Sequence, residues 1–330
     1  MIAASAPGKV VLSGEYAVLD GAPAICMAID RRSRAVISAS DSDVSTIEAV
    51  NYTKEVGRFR SKDGILEWLQ GQSAFGVVDS VWRIANVADS PALAIKLDSS
   101  EFIDGRTGLK IGIGSSAAIT VALVMALKGS DDRTNIAAIA QRAHAEFQGG
   151  IGSGVDIACS LTGGLIEYRV AGASTTRLDW PERLEARLVW TGKPASTRDK
   201  LSQLDATVSK PSRVRLAGAS EDIALAWQSG DAEEILAGYH EYIECLSEFS
   251  IDHNLGIFDA GHSEIRRAAS AENLIYKPCG AGGGDIGIVL GSDALQLDTF
   301  ARQLATKYTV LDWGLTAMGA MIEESTVEQA

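Results

Sequence analysis

Apolar and polar positions along this chain predict strands and helices in no regular order. Residues 9–15 (KVVLSGE) and 22–29 (APAICMAI) are apolar runs bounded by glycine and proline, and 33–40 (SRAVISAS) alternates, so all three read as strands. Residues 41–62 are polar and irregular in pattern, which predicts further strands and loops. From 73 to 87 the pattern changes: Phe75, Val78, Val81, Trp82 and Ala85 recur at helical spacing. A strand (ALAIKLDS) follows. KIGIGSSAAITVALVMALKG, residues 110–129, reads as a glycine loop running into a buried helix, and a second helix is expected over about 132–148, ending at Gly149–Gly150. A further glycine loop, GGIGSGVDIACSLTGG, leads to the strand LIEYRV and then to a polar stretch near 171–183, where a domain boundary is placed. The two domains expected are 1–182 and 183–330.

The second half opens on the strand ARLVWTGK, followed by two long helices. The clearer one starts at DAEE, with Asp231 as cap and Glu234 completing a capping box. Its apolar stripe is Ile235, Leu236, Tyr239, Tyr242, Ile243, Leu246 and Phe249. A third helix is expected over about 257–270. Strands NLIYK and IGIVL flank a cluster of five glycines in eight positions, and a last helix and strand complete the domain. Without regular βαβα alternation, the fold class expected is α+β.

The bulk numbers narrow the function. The chain has 330 residues, 46% hydrophobic and 22% charged, the balance of an ordinary globular protein. A net charge of −13 argues against a nucleic acid or an anionic membrane as main partner, so an anionic substrate would need locally concentrated positive charge. Cys26, Cys159, Cys245 and Cys279 are scattered and read as reduced thiols of a cytoplasmic protein. His144, His240, His253 and His262 are scattered too, which argues against a metal cage of histidine and cysteine. The longest apolar run, Ala117–Leu127, is too short to span a bilayer, and the first residues carry no signal-peptide pattern.

Three glycine loops carry the candidate chemistry. In IGIGSSAA, Gly112 and Gly114 let the backbone approach a ligand, and the helix beginning near Ser116 offers N–H groups and a positive dipole end to an anion. Ser115 and Ser116 could reach phosphate or Mg²⁺. The same residues also fit a tight strand-to-helix turn with a serine cap. No lysine follows the second glycine, so this is no Walker loop, and no acidic strand end supports a dinucleotide fingerprint. In the second loop Asp156 is either a cap or turn residue or a buried carboxylate aimed at a cleft. Lys9, between Gly8 and an apolar run, is either solvated surface or an inward cation, with Asp156 a candidate partner. The third loop, KPCGAGGGDIGIVL, places glycines where each costs roughly 0.5–1 kcal/mol relative to alanine, so it serves a very tight turn or a close backbone approach.

Taken in order, PGKVVLSGEYAVLDGAPA, IGIGSSAA and CGAGGGDIG resemble the three motifs of the GHMP kinase superfamily, and the resemblance spans nearly the whole chain. It is most similar to the phosphomevalonate kinase branch: Tyr16 stands in GEYAVL, QGGIGSGVDIA replaces the mevalonate kinase form, Asp285 stands in GAGGGDIG, and WTGKPASTRDKL resembles a substrate-holding strand and loop. The resemblance implies a two-domain fold, with an N-terminal ATP-binding domain like ribosomal protein S5 domain 2 and a ferredoxin-like C-terminal domain. It implies ATP and Mg²⁺ as cofactors and phosphorylation of 5-phosphomevalonate, with mevalonate or another small acceptor as the alternative and a non-catalytic binding paralogue as a further one. Lys9 and Asp156 would be catalytic. Gly112, Gly114, Ser115, Ser116 and Ala117 would hold ATP, with Ser116 near the metal. Tyr16, Lys110, Ser153, Lys193, Ser196, Thr197, Arg198, Ala281, Gly282, Gly283 and Gly284 would face the acceptor. Glu146 does not match the spacing of the family's second metal ligand. The assembly expected is a monomer or homodimer.

Overall fold

The computed structural model describes residues 1–87, 91–150, 152–204 and 210–323, without the side chain of Arg198. The first part contains β1 (Ile2–Ser13), β2 (Ala24–Ala39), β3 (Ser45–Val50), β4 (Gly57–Lys62), β5 (Ile65–Gln70), α1 (Gly76–Ala85) and β6 (Leu93–Asp98). It continues with α2 (Ser115–Lys128), α3 (Arg133–Phe147), α4 (Val155–Thr162), β7 (Leu165–Arg169) and β8 (Ser174–Leu178). β9 (Glu185–Trp190), α5 (Thr197–Gln203), α6 (Pro211–Ser229), α7 (Ala232–Asp252), α8 (His262–Ala271), β10 (Ile275–Pro278), β11 (Ile286–Gly291), α9 (Ala294–Leu304), β12 (Thr309–Leu311) and β13 (Met321–Glu323) follow.

The expected α+β class is what the chain adopts. The larger sheet runs β13-β1-β2-β6-β3-β4-β5, with β7 and β8 extending from β2, and the smaller runs β10-β11-β9-β12. β1 and β2 are long and mostly antiparallel in register, Lys9 opposite Ala28 and Val11 opposite Cys26. α2 covers both strands. Every residue from Ala117 to Ala126 is buried, because α1, α3 and α4 close over the face of α2 that the sheet leaves free. The stripe on α7 packs as its spacing predicts, with Tyr239 and Tyr242 fully buried.

Several local expectations change. Residues 155–162, expected as part of a glycine loop, form α4, because the loop's glycines cap it at Gly154 and Gly163 and its interior is apolar and buried. Asp231 caps α7, its Oδ1 accepting from the N–H groups of Glu233 (2.8 Å) and Glu234 (3.0 Å). Glu234 does not return the bond: its carboxylate accepts from Ser229 Oγ (2.8 Å), while Asp231 N donates to the same Ser229 oxygen (3.2 Å). The helix expected over 257–270 begins only at His262. Residues 255–261 stay out of it because the Ile257 carbonyl accepts from Gly283 N at 2.8 Å, and Gly256, Ala260 and Gly261 all have positive φ. The chain also returns beyond its last helix: β13 pairs with β1 (Ala3 with Glu323), held by Arg32, which donates to Ser5 O and Gly319 O.

Candidate active site

Lys9 projects from β1 at the point where the strand meets the first glycine loop. Its N–H donates to Ile113 O at 2.9 Å, tying the loop to the strand. The Lys9 stem crosses Gly114, where a Cβ would lie 2.9 Å from Lys9 Cε, so only glycine fits beneath it. Gly114 caps α2 in the left-handed region with no side-chain bond, which removes the serine-cap reading of this loop. Asp156 lies in the first turn of α4, itself capped by left-handed Gly154. Its Oδ1 is 2.9 Å from Lys9 Nζ. Burial is the largest influence and works against the Lys9 ammonium, but Asp156, with Cys26 and Cys159 adding to it, holds Lys9 above the ordinary lysine range, a cation at neutral pH. The lysine side chain is 11% exposed and the carboxylate 25%, so the free side of Asp156 opens toward solvent.

His144, on α3, is a residue that motif reading does not reveal. Its Nε2 lies 3.0 Å from Ser116 Oγ. Burial lowers its pKa to about 4, so it is a neutral imidazole at pH 7. It lines one pocket with Lys9, Tyr16, Ser153, Asp156, Thr197 and Ala281, and with Gln148. A second, more apolar pocket is lined by Tyr52, Phe75, Phe102, Ile119 and Phe147, with Ser115 and Ser116 at its edge. The Ser116–His144 bond is thus a seam between the two. Lys110 lines the second pocket, its Nζ 4.7 Å from the centre of the Tyr52 ring, and is absent from the lining of the Lys9 pocket, which holds Tyr16, Ser153, Thr197 and Ala281 of the residues expected to face the acceptor.

The remaining expected residues are placed as follows. Tyr16 has φ 62° and donates its hydroxyl to Ala281 O at 2.6 Å. Ser153 O accepts from Tyr168 OH at 2.8 Å. Ser196 caps α5, accepting from Asp199 N at 3.2 Å, Thr197 opens that helix, and Lys193 is exposed. Arg198 belongs to α5, with its side chain outside the described residues. Ala117 is buried against the core. The third glycine loop packs on protein backbone: a Cβ on Gly282 would sit 2.6 Å from Ile257 O, and one on Gly284 2.5 Å from Lys193 O. Gly283 lies under the Lys200 ammonium, 2.8 Å from where its Cβ would be. Asp285 locks the loops together. Its Oδ1 accepts from Ala195 N (3.0 Å), its N–H donates to Lys193 O (2.7 Å), and a Cβ on Gly112 would lie 2.2 Å from its Cγ. Burial pushes the Asp285 carboxyl up to about 6 against the pull of Ala195 N–H and of Lys9 and Lys110.

Among the described residues no three His, Cys, Asp or Glu side chains converge as a metal cage. Oxygen donors of the kind Mg²⁺ takes stand on either side of His144, the Ser116 hydroxyl bonded to it and the Asp156 carboxylate lining the same pocket, and Mg²⁺ completes its shell with water and substrate phosphates.

The buried histidines make stability pH-dependent. His262 accepts or donates at both nitrogens, to Tyr276 OH (2.7 Å) and Gly284 O (2.9 Å), and burial holds it, like His144, at about 4. A depression from 6.5 to about 4 corresponds to about 3 kcal/mol for each imidazole. That stability is complete above 6.5 and is lost as pH falls toward 4, because the unfolded chain takes up the protons first. Asp285 acts in the opposite sense: its contribution is present below 3.8 and lost as pH rises through about 6. Two imidazoles outweigh one carboxyl, so Tm falls on acidification across this window, and His262→Gln flattens the slope. A melting series with an unchanged slope in that variant would contradict the assignment.

The arrangement places a buried lysine against a half-buried carboxylate where α2 and α4 begin, between an apolar and a more open pocket. Residues 77–164 match the family model described as the GHMP kinases N terminal domain. The chain is 32% identical to the phosphomevalonate kinase of a Streptomyces species, over 94% of this chain and 96% of that one. It is 27% identical to the mevalonate kinase of Bos taurus, over 87% of this chain and 85% of that one. Its fold is similar to the structure of Streptococcus pneumoniae phosphomevalonate kinase in complex with phosphomevalonate and AMPPNP, with TM-score 0.77 at 20% identity, covering 95% of this chain and 99% of that one. The chain belongs to the GHMP kinase superfamily, phosphotransferases that use ATP on small molecules.

Proposed function

We propose that this kinase transfers the γ-phosphoryl group of ATP to the phosphate of 5-phosphomevalonate. The observation that carries the reading is the Lys9–Asp156 contact at 2.9 Å, in a pocket that meets a second one through Ser116 and His144. The apolar pocket with Tyr52, Phe75 and Phe102 suits the base of the nucleotide, and the start of α2 its phosphates. The Lys9 pocket suits the acceptor, with Ser153 at its wall and α5 lining it through Thr197 and Leu201. Full-length similarity to a phosphomevalonate kinase supports this acceptor.

A phosphomonoester acceptor has its second pKa near about 6 and needs little proton removal at neutral pH. The difficulty is bringing it beside the γ-phosphate, since two unit charges at 4 Å repel by about 4 kcal/mol at an effective dielectric near 20. Lys9, kept cationic by Asp156, offsets that repulsion at the group in flight, and Asp156 fixes the direction of the ammonium. Ser116 and Asp156 would hold Mg²⁺, which when bound neutralises phosphate charge. A second reading, transfer to the free alcohol of mevalonate, is supported by the similarity to the bovine mevalonate kinase and would make Asp156 a base.

ADP release with ATP and Mg²⁺ is expected with 5-phosphomevalonate and not with mevalonate. Turnover of mevalonate alone would overturn the acceptor assignment and leave the phosphotransfer chemistry in place.

A further inference from the structure

Beneath the site lies a buried ion pair that the chemistry above does not use. Glu15 Oε1 and Lys277 Nζ are 2.5 Å apart, with side chains 1% and 0% exposed. The other carboxylate oxygen accepts from Tyr242 OH at 2.5 Å, and that hydroxyl accepts from the N–H groups of Gly14 (2.8 Å) and Glu15 (3.2 Å). Gly280 N donates to Glu15 Oε1 at 3.3 Å. The residue beside Glu15 is Tyr16, whose hydroxyl holds Ala281 O at 2.6 Å.

Adjacent residues of one turn therefore grip adjacent residues of the glycine loop, one through a carboxylate and one through a phenol. Tyr16 reaches its partner only at φ 62° and ψ −45°, an unfavourable conformation for an aromatic residue. Such strain persists where the surroundings over-determine it and gathers at functional sites. A buried ion pair is weak evidence for stability, since desolvation offsets most of the attraction. Its geometry is the better clue: β1 carries Lys9 six residues before Glu15, and the gripped loop runs on to Gly284 and Asp285.

We infer that Glu15 and Lys277, with the Tyr16 hydroxyl, form a two-point clamp that sets the glycine loop at its working distance from Lys9, and are positioning residues for phosphoryl transfer. The inference rests on the phosphotransfer reading and not on which acceptor is used. The clamp works through backbone at Gly280 and Ala281, so none of its groups touches the reacting atoms.

The test uses the full chain with Glu15→Gln/Lys277→Met, which removes both charges together and leaves neither buried alone, and independently Tyr16→Phe, which removes the second grip without touching a charge. Amide hydrogen exchange is followed by mass spectrometry, and kcat and KM are measured with ATP and whichever acceptor the wild type turns over. Expected are faster exchange confined to 279–284, a kcat lower by on the order of 10²-fold, the loss that accompanies an ångström of misplacement, and KM for ATP within about twofold of wild type. Wild-type kcat, or unchanged exchange in 279–284, in either variant that folds would overturn the clamp. A wild type inactive with every acceptor offered would refute the phosphotransfer reading instead, and the exchange result would still decide whether the clamp holds the loop.

Discussion

Lys9→Met is expected to lower kcat by a factor on the order of 10²–10³, the scale for removing one preorganised electrostatic contact from a site. Methionine fills much of the volume of the lysine stem where it crosses Gly114, so the strand and loop keep their packing. What disappears is a cation that burial alone would discourage and Asp156 sustains. Its partner is left with a free side toward solvent, which limits the cost to folding. The loss should therefore fall on kcat, with KM for ATP little changed, because the pocket proposed for the nucleotide is the other one. A factor of 10³ corresponds to about 4 kcal/mol of transition-state stabilisation. A variant with kcat within threefold of wild type would remove Lys9 from the chemistry. Lys9→Arg is a useful companion: it restores charge, but its planar fork cannot follow the path of the lysine stem, and only partial recovery is expected.

Gly112→Ala is expected to cost both stability and turnover. The residue has φ 90°, where an L side chain is strained by about 1–3 kcal/mol. A Cβ there would also lie 2.2 Å from Asp285 Cγ and 2.6 Å from its Oδ1, the atom that accepts from Ala195 N. Displacing Asp285 loosens the contact between the loop before α2 and the segment 193–195, so kcat should fall by at least tenfold, or about 1.4 kcal/mol. Gly230 offers the control. It is left-handed too (φ 71°) but has open space around its Cβ position, and it ends α6 away from both pockets. Gly230→Ala should show the conformational cost in Tm alone. Equal kcat in the two variants would mean that the Asp285 contact has no bearing on catalysis.

The legible parts of this protein were those where one residue's chemistry demands a neighbour of a given type. The glycine loop before α2 marks a helix start and a close approach, whereas the glycines around 149–164 read as loop and hid α4 between them; Lys9 and Asp156, 147 positions apart, meet where the two stretches converge. The stripe on α7 was legible because period and burial coincide. His144 was not, since it sits in an ordinary-looking helix; Glu15 and Lys277 lie within the first and third motifs, but their pairing comes only from packing across the chain. The start of α8 was misread because helical spacing continues back into 257–261, while the Ile257 carbonyl is claimed by a loop 26 residues further on. The opposite happened in the glycine-rich loop itself. Its glycines suggested close approach, and much of that approach is to the chain's own backbone at Ile257 and Lys193.

The return of Met321–Glu323 to β1 bears on how the protein is made. β1 leaves the ribosome roughly 15–60 s before β13, at about 5–20 residues per second. For that interval the strand that carries Lys9 has β2 on one side and an open edge on the other, and open edges recruit strands from other chains. Arg32, waiting on β2 with its guanidinium toward Ser5, marks the place the late strand will take. The edge of β1 at Ala3–Ser5 is thus covered by the last-made part of the described chain, and crowded synthesis is a condition under which that edge is exposed to mispairing.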